Sequence, residues 1–536
     1  MRSLAVLLAV LATGAALALT LTRAVYLLHM LQLEEYDTRR FVHWVVFHIH
    51  RLAANPMLDL LASLGVVVLF VPLESALSRV VASSVAIAVG LTGLLWERYV
   101  EARSPVKKAL VMTPRARRLL ACTAILSSGI CLVLLAGWER LALAIVLFLP
   151  MMAPGVLVAS RTIMEPVEAS IRDWYVKDAR KILAGFAPTV VGITGSYGKT
   201  STKFFTAHIL ESHYRVLMTP ESYNTAMGIC RVIRGQLGPE HEVFVVELAE
   251  NEKGGFENLL SLVPCSISIV TSVGLQHLEE FGSEAVIRNV MKGFVSMPGS
   301  GSMVVLNGDD PVLAEVESVY GKKLLRVSAG GSLVSDIHAE NIQMNAKGLS
   351  FDIATSQGER FACHTMLLGR HNVENILLAV AVAHELGVSW NAIQDSITTL
   401  QAPPHRLQMI AGAGGVRIID DAYNSNPAGF AMAMEVLGTF PSRRVLVTPG
   451  LVSLGNAENA ENIKAGRLAA GAADTVILVG AKKTRPVHEG LLSAGFPETS
   501  ILTARSLEEV TGMMRNLLVP GDTVMFENDL PDTYNE

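Results

Sequence analysis

The stretch Thr189-Val-Val-Gly-Ile-Thr-Gly-Ser-Tyr-Gly-Lys-Thr-Ser-Thr-Lys-Phe-Phe-Thr-Ala-His-Ile-Leu210 decides the fold of most of the chain. A short apolar strand runs into a glycine-rich turn, and the turn opens an amphipathic helix. Gly195 and Gly198 let the backbone approach oxygen atoms closely. The helix start, with Ser196 and Ser201 beside it, offers free N–H groups to a phosphate. Lys199 adds a point charge, and the Thr200 hydroxyl is placed to ligate Mg²⁺. The form is the short GxxGKT, because Ile193 stands where longer phosphate loops carry their first glycine.

Upstream the character changes. The 536 residues exceed one compact core, so two to four domains are expected. Residues 1–160 carry 14 Lys+Arg against 8 Asp+Glu, whereas the remainder carries 30 against 41. Leu4–Thr22, Leu119–Trp138 and Leu141–Ser160 are uncharged runs of 19, 20 and 20 residues. Met57–Leu73 and Val80–Trp96 are weaker runs. As helices, runs near 20 residues reach across about 30 Å of hydrocarbon. Five membrane spans are therefore expected within 1–160. A cleaved signal peptide is the alternative for the first run alone, but no convincing cleavage site precedes Arg23. Pro150, Pro154 and Gly155 leave a re-entrant last segment open. With five spans, both arginine-rich loops (Arg23 to Arg51, and Arg98 to Arg118) and everything after Ser160 fall on one side. By the positive-inside rule that side is the cytoplasm, which predicts a multi-pass protein of the bacterial inner membrane. His43, His48 and His50 share no helical face and read as interfacial packing rather than a metal site. The scattered Cys122, Cys131, Cys230, Cys265 and Cys363 form neither a disulfide framework nor a zinc motif. A net charge of −5 argues against a nucleic-acid partner.

Downstream of the loop, further motifs follow. Val243-Phe-Val-Val-Glu247 is an apolar strand ending in a carboxylate, a good position for a hard cation beside a phosphate. A strand ending near Thr271 is followed by His277, and Lys292 comes fifteen residues after that. Gly369-Arg-His-Asn-Val-Glu-Asn375 opens a helix. Pro404-His-Arg406 and Ile418-Ile-Asp-Asp-Ala-Tyr-Asn-Ser-Asn-Pro427 precede strands that alternate with helices, the pattern of a small parallel α/β domain.

Taken in this order, the motifs resemble the Mur ligases, ATP-dependent amide-forming enzymes of peptidoglycan synthesis, from about Val190 to the C-terminus. A helical membrane domain (1–160), expected from the apolar runs, and a connector (161–188) come first, and the resemblance then implies two α/β domains. These are a P-loop-type ATP-binding central domain (189–402) and a Rossmann-like C-terminal domain (403–536). It also implies roles. Glu247 holds Mg²⁺ at the nucleotide, His277 ligates a second Mg²⁺, and Lys292 becomes a carbamylated metal ligand. Gly293 and Phe294 depart from the acidic residue common just after that lysine. Asn372 and Asn375 lie on the adenine side. Arg406 reaches the ATP phosphates from the C-terminal domain, and Asp421 contacts the ribose or orients Arg406. Tyr423, Asn424 and Asn426 face the acceptor, while Ser453 stands where relatives often carry an acid.

The implied reaction turns a carboxylate into an acyl phosphate, which an amine then attacks; closure of the C-terminal domain would exclude water. The soluble Mur ligases begin with a domain for the UDP-sugar, and here five spans take its place. The expected partners are a lipid- or UDP-linked carboxylate acceptor, an amino acid or dipeptide, and membrane lipid. A ligase for another surface polymer such as poly-γ-glutamate stays open. An ATP-driven transporter fits less well, since no LSGGQ-like string is present.

Overall fold

In the computed structural model the described residues are 2–49, 55–70, 76–103, 109–137, 146–221, 223–249, 255–274, 284–297, 299, 301–318, 321–330, 335–423, 425–452 and 454–529. The chain divides into two compact units, one up to Arg172 and one from Asp173 to Leu530.

The elements among the described residues of the first unit are helices: α1 (Arg2–Leu33), α2 (Thr38–Phe47), α3 (Pro56–Phe70), α4 (Ala76–Arg103), α5 (Pro114–Gly137) and the start of α6 (Ala153–Phe186). Small residues set its closest packing. A Cβ on Gly90 would lie 3.1 Å from Ala15, and one on Gly93 would lie 3.0 Å from Leu19. One turn further along, Arg23 pairs with Glu97 at 2.8 Å. The constant offset means that α1 and α4 run parallel, with glycine letting the backbones approach. Ala16 packs near Cys131, and Leu27 to Leu31 pack near Ala116 and Leu119, so α5 runs antiparallel to α1. Asn55 ties the start of α3 to Glu97. Among the described residues two helices are long and apolar enough to cross a membrane, Val6–Leu33 and Leu77–Tyr99; Pro56–Val68 is apolar but shorter. The other two expected spans run into residues 138–145, outside the described set.

The stretch expected as a connector is not a separate linker. It is helix through Phe186, continuous with the apolar segment before it, and the boundary between the units falls within it. Good helix formers carry α6 past Pro166.

The second unit holds two sheets. The larger contains β1 (Thr189–Thr194), β2 (Val216–Met218), β3 (Val243–Glu247), β4 (Ile267–Val270), β5 (Met303–Asn307), β6 (Lys323–Ser328), β7 (Ile337–Asn345), β8 (Gly348–Thr355) and β9 (Arg360–Thr365). Their order is β2-β3-β1-β4-β5-β6-β7-β8-β9, parallel through β7 and antiparallel at β8 and β9. β1 is buried from Val190 onward, as expected of a central parallel strand covered on both faces. The helices that matter below are α7 (Lys199–Leu210), α8 (Glu284–Ser296), α9 (His371–Glu385) and α10 (Pro427–Gly438).

The smaller sheet contains β10 (Gln408–Ala411), β11 (Arg417–Asp421), β12 (Arg444–Thr448), β13 (Thr475–Val479), β14 (Ile501–Ala504) and β15 (Thr523–Glu527), ordered β10-β11-β15-β12-β13-β14. It is parallel except for β10. In both sheets the chemistry-bearing residues collect at the carboxyl ends of the strands, where open α/β sheets bind ligands.

Candidate active site

The loop after β1 is held by its glycines. Gly195 (φ 134°) and Gly198 (φ 80°) lie in the region that favours glycine. A Cβ on Gly195 would lie 2.2 Å from Thr271 Oγ1, and one on Gly198 would lie 2.4 Å from Asn375 Oδ1. The loop is strapped to the segment after β4. Ser196 N–H donates to Ser272 O (2.7 Å), Tyr197 N–H to Ser272 Oγ (3.1 Å) and the Ser196 hydroxyl to Gly274 O (3.0 Å). Lys199 Nζ arches over the loop and donates to Gly195 O (2.5 Å) and Ser196 O (3.0 Å). Burial pulls its pKa down to about 8, opposed by Glu247 and reinforced by Arg406. Ser201 is half-buried in the first turn of α7.

Glu247, 2% exposed at the end of β3, has three partners. Its Oε2 accepts from Thr200 Oγ1 (3.0 Å) and lies 3.5 Å from Lys203 Nζ, and its Oε1 accepts from Asn224 Nδ2 (3.0 Å). Lys203 is wholly buried and also donates to Glu221 O. Sequence reading missed both Lys203 and Asn224. The available signal for Lys203 was its place one helical turn after Lys199; nothing local marked Asn224.

Arg406 comes from the C-terminal half of the unit. Its neighbours His405 (φ 61°) and Leu407 (φ 48°) are both left-handed, an uncommon backbone for such side chains and typical of functional sites. The guanidinium stacks 4.1 Å above the Tyr423 ring. It lies within electrostatic reach of Lys199, Glu247, Asp421 and His371, and burial lowers its pKa. Asp421 accepts from Leu407 N–H at 3.1 Å, and burial raises its pKa to about 6. Sequence reading also missed His371, whose buried Nδ1 has no hydrogen-bond partner among the described residues and whose pKa falls to about 4 through burial and Arg406.

The other expected residues fall differently. Asn372 and Asn375 are buried and spend hydrogen bonds inward. Thr202 donates to Asn375 Oδ1, Asn375 Nδ2 to Asn372 Oδ1, and Asn372 Nδ2 to Leu368 O. In this geometry they brace α9 against α7 beneath the loop. Lys292 on α8 pairs with Glu315 and contacts neither Thr200 nor Glu247 among the described residues. Among those residues no group of three or more His, Cys, Asp or Glu gathers as a metal cluster. His277, Asn424 and Ser453 lie outside the described residues. Asn426 caps α10 through Ala428 and Gly429 N–H.

The oxygens of Thr200 and Glu247 suit one Mg²⁺. That ion keeps several waters and is held by one or two side chains plus phosphate oxygens. Lys292, paired with Glu315, does not join that donor set.

Two family descriptions match this unit: the Mur ligase middle domain over residues 193–383, and the Mur ligase glutamate ligase domain over 405–527. The UDP-N-acetylmuramoyl-tripeptide–D-alanyl-D-alanine ligase of Escherichia coli is 32% identical over 337 residues, covering 61% of this chain and 73% of that protein. The chain belongs to the Mur ligase family. It is an ATP-dependent acid–amino-acid ligase, as the family resemblance implied. The Mycobacterium bovis enzyme of the same name is 30% identical, covering 65% of this chain and 71% of that protein. Among solved Mur ligases, MurF from Acinetobacter baumannii superposes with a TM-score of 0.61 at 25% identity, covering 68% of this chain and 78% of that one. MurF from Thermotoga maritima in complex with ADP gives a TM-score of 0.59 at 23% identity, covering 68% and 81%. The helical unit lies outside both family descriptions.

Proposed function

We propose that this Mur ligase joins an amino acid or dipeptide, such as D-Ala-D-Ala, to the carboxylate of a UDP- or lipid-linked cell-wall precursor at the cytoplasmic face of the membrane. The observation that carries the reading is the convergence of Lys199, Thr200, Glu247 and Arg406 on one strand-end cleft. Joining a carboxylate to an amine in water is uphill, so the carboxylate oxygen first attacks the γ-phosphorus of ATP, the bond from that phosphorus to the β,γ-bridging oxygen breaks, and ADP leaves. Lys199 and Arg406 offset the charge that builds as two anions approach. A Mg²⁺ held by Thr200 and Glu247 would supply further charge stabilisation at the phosphates, and His277 is the candidate for a second ion. The amine then attacks the acyl carbon, the C–O bond to phosphorus breaks and phosphate leaves. No side-chain nucleophile is needed. Arg406 serves both steps when the C-terminal domain closes, and water is kept from the acyl phosphate.

Five spans in the helical unit are supported by the directions of its helices. Parallel α1 and α4 require one crossing between them, which α3 supplies, and antiparallel α5 returns. An N-terminus outside then leaves the catalytic unit in the cytoplasm. The test is purified full-length protein with ATP, Mg²⁺ and D-Ala-D-Ala, offered UDP-N-acetylmuramoyl-tripeptide or its polyprenyl-linked counterpart and read by mass spectrometry. Amide product on either acceptor supports the ligase reading; amide product on neither, across a panel of amino acids, overturns it.

A further inference from the structure

The helical unit carries a group of cations that its packing does not explain. Arg115, half-buried near the start of α5, stacks 4.1 Å over the Tyr36 ring. Among the described residues it makes no hydrogen bond or ion pair. Burial is the main influence on it and lowers its pKa; Glu168 and Tyr36 oppose that shift, Arg172 and Arg161 add to it, and Glu165 also lies within electrostatic reach. The nearby carboxylates are already engaged. Glu168 is held bidentate by Arg118 (2.7 and 2.8 Å), and Glu165 is shared by Arg172 (2.7 Å) and Arg161 (3.6 Å). Four arginines thus face two carboxylates, and Arg117 stands exposed alongside. In the neighbouring turn Glu35 pairs with Arg40 at 4.0 Å, Glu34 lies within reach of the same cation, and Asp37 accepts from the Arg40 backbone N–H at 2.8 Å.

The platform under Arg115 is itself built. Glu35 (φ 55°) and Tyr36 (φ 62°) are consecutive left-handed residues without a glycine. Tyr36 O accepts from Arg161 Nε (2.9 Å), and Gln32 Nε2 donates to the Tyr36 hydroxyl (3.2 Å) and to Val111 O (3.0 Å). Segments from α1, α5 and α6 are therefore fixed so that cations crowd together partly out of water. Like charges in a lowered dielectric repel, and a multivalent anion resolves that repulsion through forked arginine contacts.

We propose that Arg115, Arg161 and Tyr36 form a binding site for a pyrophosphate group, the part of the carboxylate substrate that a lipid-linked and a UDP-linked precursor share. Assigning that group to the substrate rests on the ligase reading; the anion site does not. In a lipid-linked precursor the pyrophosphate would lie at the level where α5 leaves its apolar run.

The test uses full-length protein in phosphatidylcholine nanodiscs. Binding is measured for inorganic pyrophosphate, for UDP, and for nanodiscs doped with polyprenyl pyrophosphate or, as comparator, phosphatidylglycerol. A pyrophosphate-bearing probe is expected to bind at least about tenfold tighter than phosphatidylglycerol. Arg115→Gln should remove most of that preference, and Arg115→Lys should restore part of it. Arg485→Gln, on the surface of the other unit, is the charge-matched control. Preference for the polyprenyl probe over UDP and free pyrophosphate assigns a lipid source, and the reverse a soluble one; both support the site. Equal binding of phosphatidylglycerol, or an unchanged preference in a monodisperse Arg115→Gln protein, overturns it. Loss of amide formation with binding intact would count against the ligase reading alone.

Discussion

Glu247 and Glu527 occupy equivalent places in their sheets, yet their surroundings set them apart. Each ends a parallel strand at the carboxyl edge, and their exposures are 2% and 0%. Glu247 meets a hydroxyl, an amide and a buried ammonium. Glu527 accepts from Thr448 Oγ1 (3.1 Å), and the Ser425 hydroxyl also acts on it, but its Oε1 completes no hydrogen bond. It also pairs in register with Asp421, a second acid. Burial, reinforced by Asp421, pushes the Glu527 pKa up to about 8. Glu247 faces a buried ammonium and two further donors, the surroundings of a cation ligand, whereas Glu527, given only hydroxyls, settles as a neutral acid. The comparison therefore places the charge chemistry in the larger sheet.

The hardest blow to that contrast would come from Lys199→Ala. It should lower kcat by about a thousandfold or more with a far smaller change in ADP affinity, since the ammonium acts on charge developing at the transferring phosphoryl group. Single-turnover kinetics would check this. Equal losses in binding and rate would make Lys199 a ground-state ligand only.

Lys203→Met would convert Glu247 toward the condition of Glu527. Stranding the carboxylate should cost about 3–5 kcal/mol of stability. The double variant with Glu247→Gln should recover much of it, which thermal unfolding would show. Additive losses would mean that the pair is not coupled.

Gly198→Ala places a methyl 2.4 Å from Asn375 Oδ1 at a left-handed φ. It should destabilise by about 1–3 kcal/mol and weaken ADP binding. Retained affinity with normal stability would show that the loop can shift.

The effect expected for Glu527→Gln is on pH dependence, with little change at low pH. The folded pKa (about 8) lies above the unfolded value near 4.5. Stability linked to the neutral acid is thus full below pH 4.5 and is lost as pH rises through 8. The glutamine variant should unfold at a temperature that falls less between pH 5 and pH 8.5 than the parent's. Parallel curves would contradict a neutral Glu527.

Much of the catalytic unit was legible because its chemistry is local in sequence. The phosphate loop, the Glu247 strand end and the Arg406 and Asp421 motifs are contiguous strings whose residue types state their tasks. What was not legible was set by tertiary contact. Lys203 and Asn224 matter only because folding delivers them to Glu247, and His371 only because Arg406 packs beside it. The family resemblance puts Asn372 and Asn375 on the adenine side, while the hydrogen bonds that join them to a second helix depend on tertiary contact. The family resemblance implies Lys292 at the metal, whereas α8 sets it against Glu315. In the helical unit hydropathy gave the helices. The boundary within α6 escaped because residues 161–186 continue a helix whose composition changes without any break in its backbone.

The central claim is that the acceptor carboxylate is activated by the γ-phosphate held between Lys199, Glu247 and Arg406. It is tested most directly by labelling both oxygens of that carboxylate with ¹⁸O and analysing the released inorganic phosphate. The account predicts one ¹⁸O in the phosphate for every amide formed. Amide formation with unlabelled phosphate would contradict it.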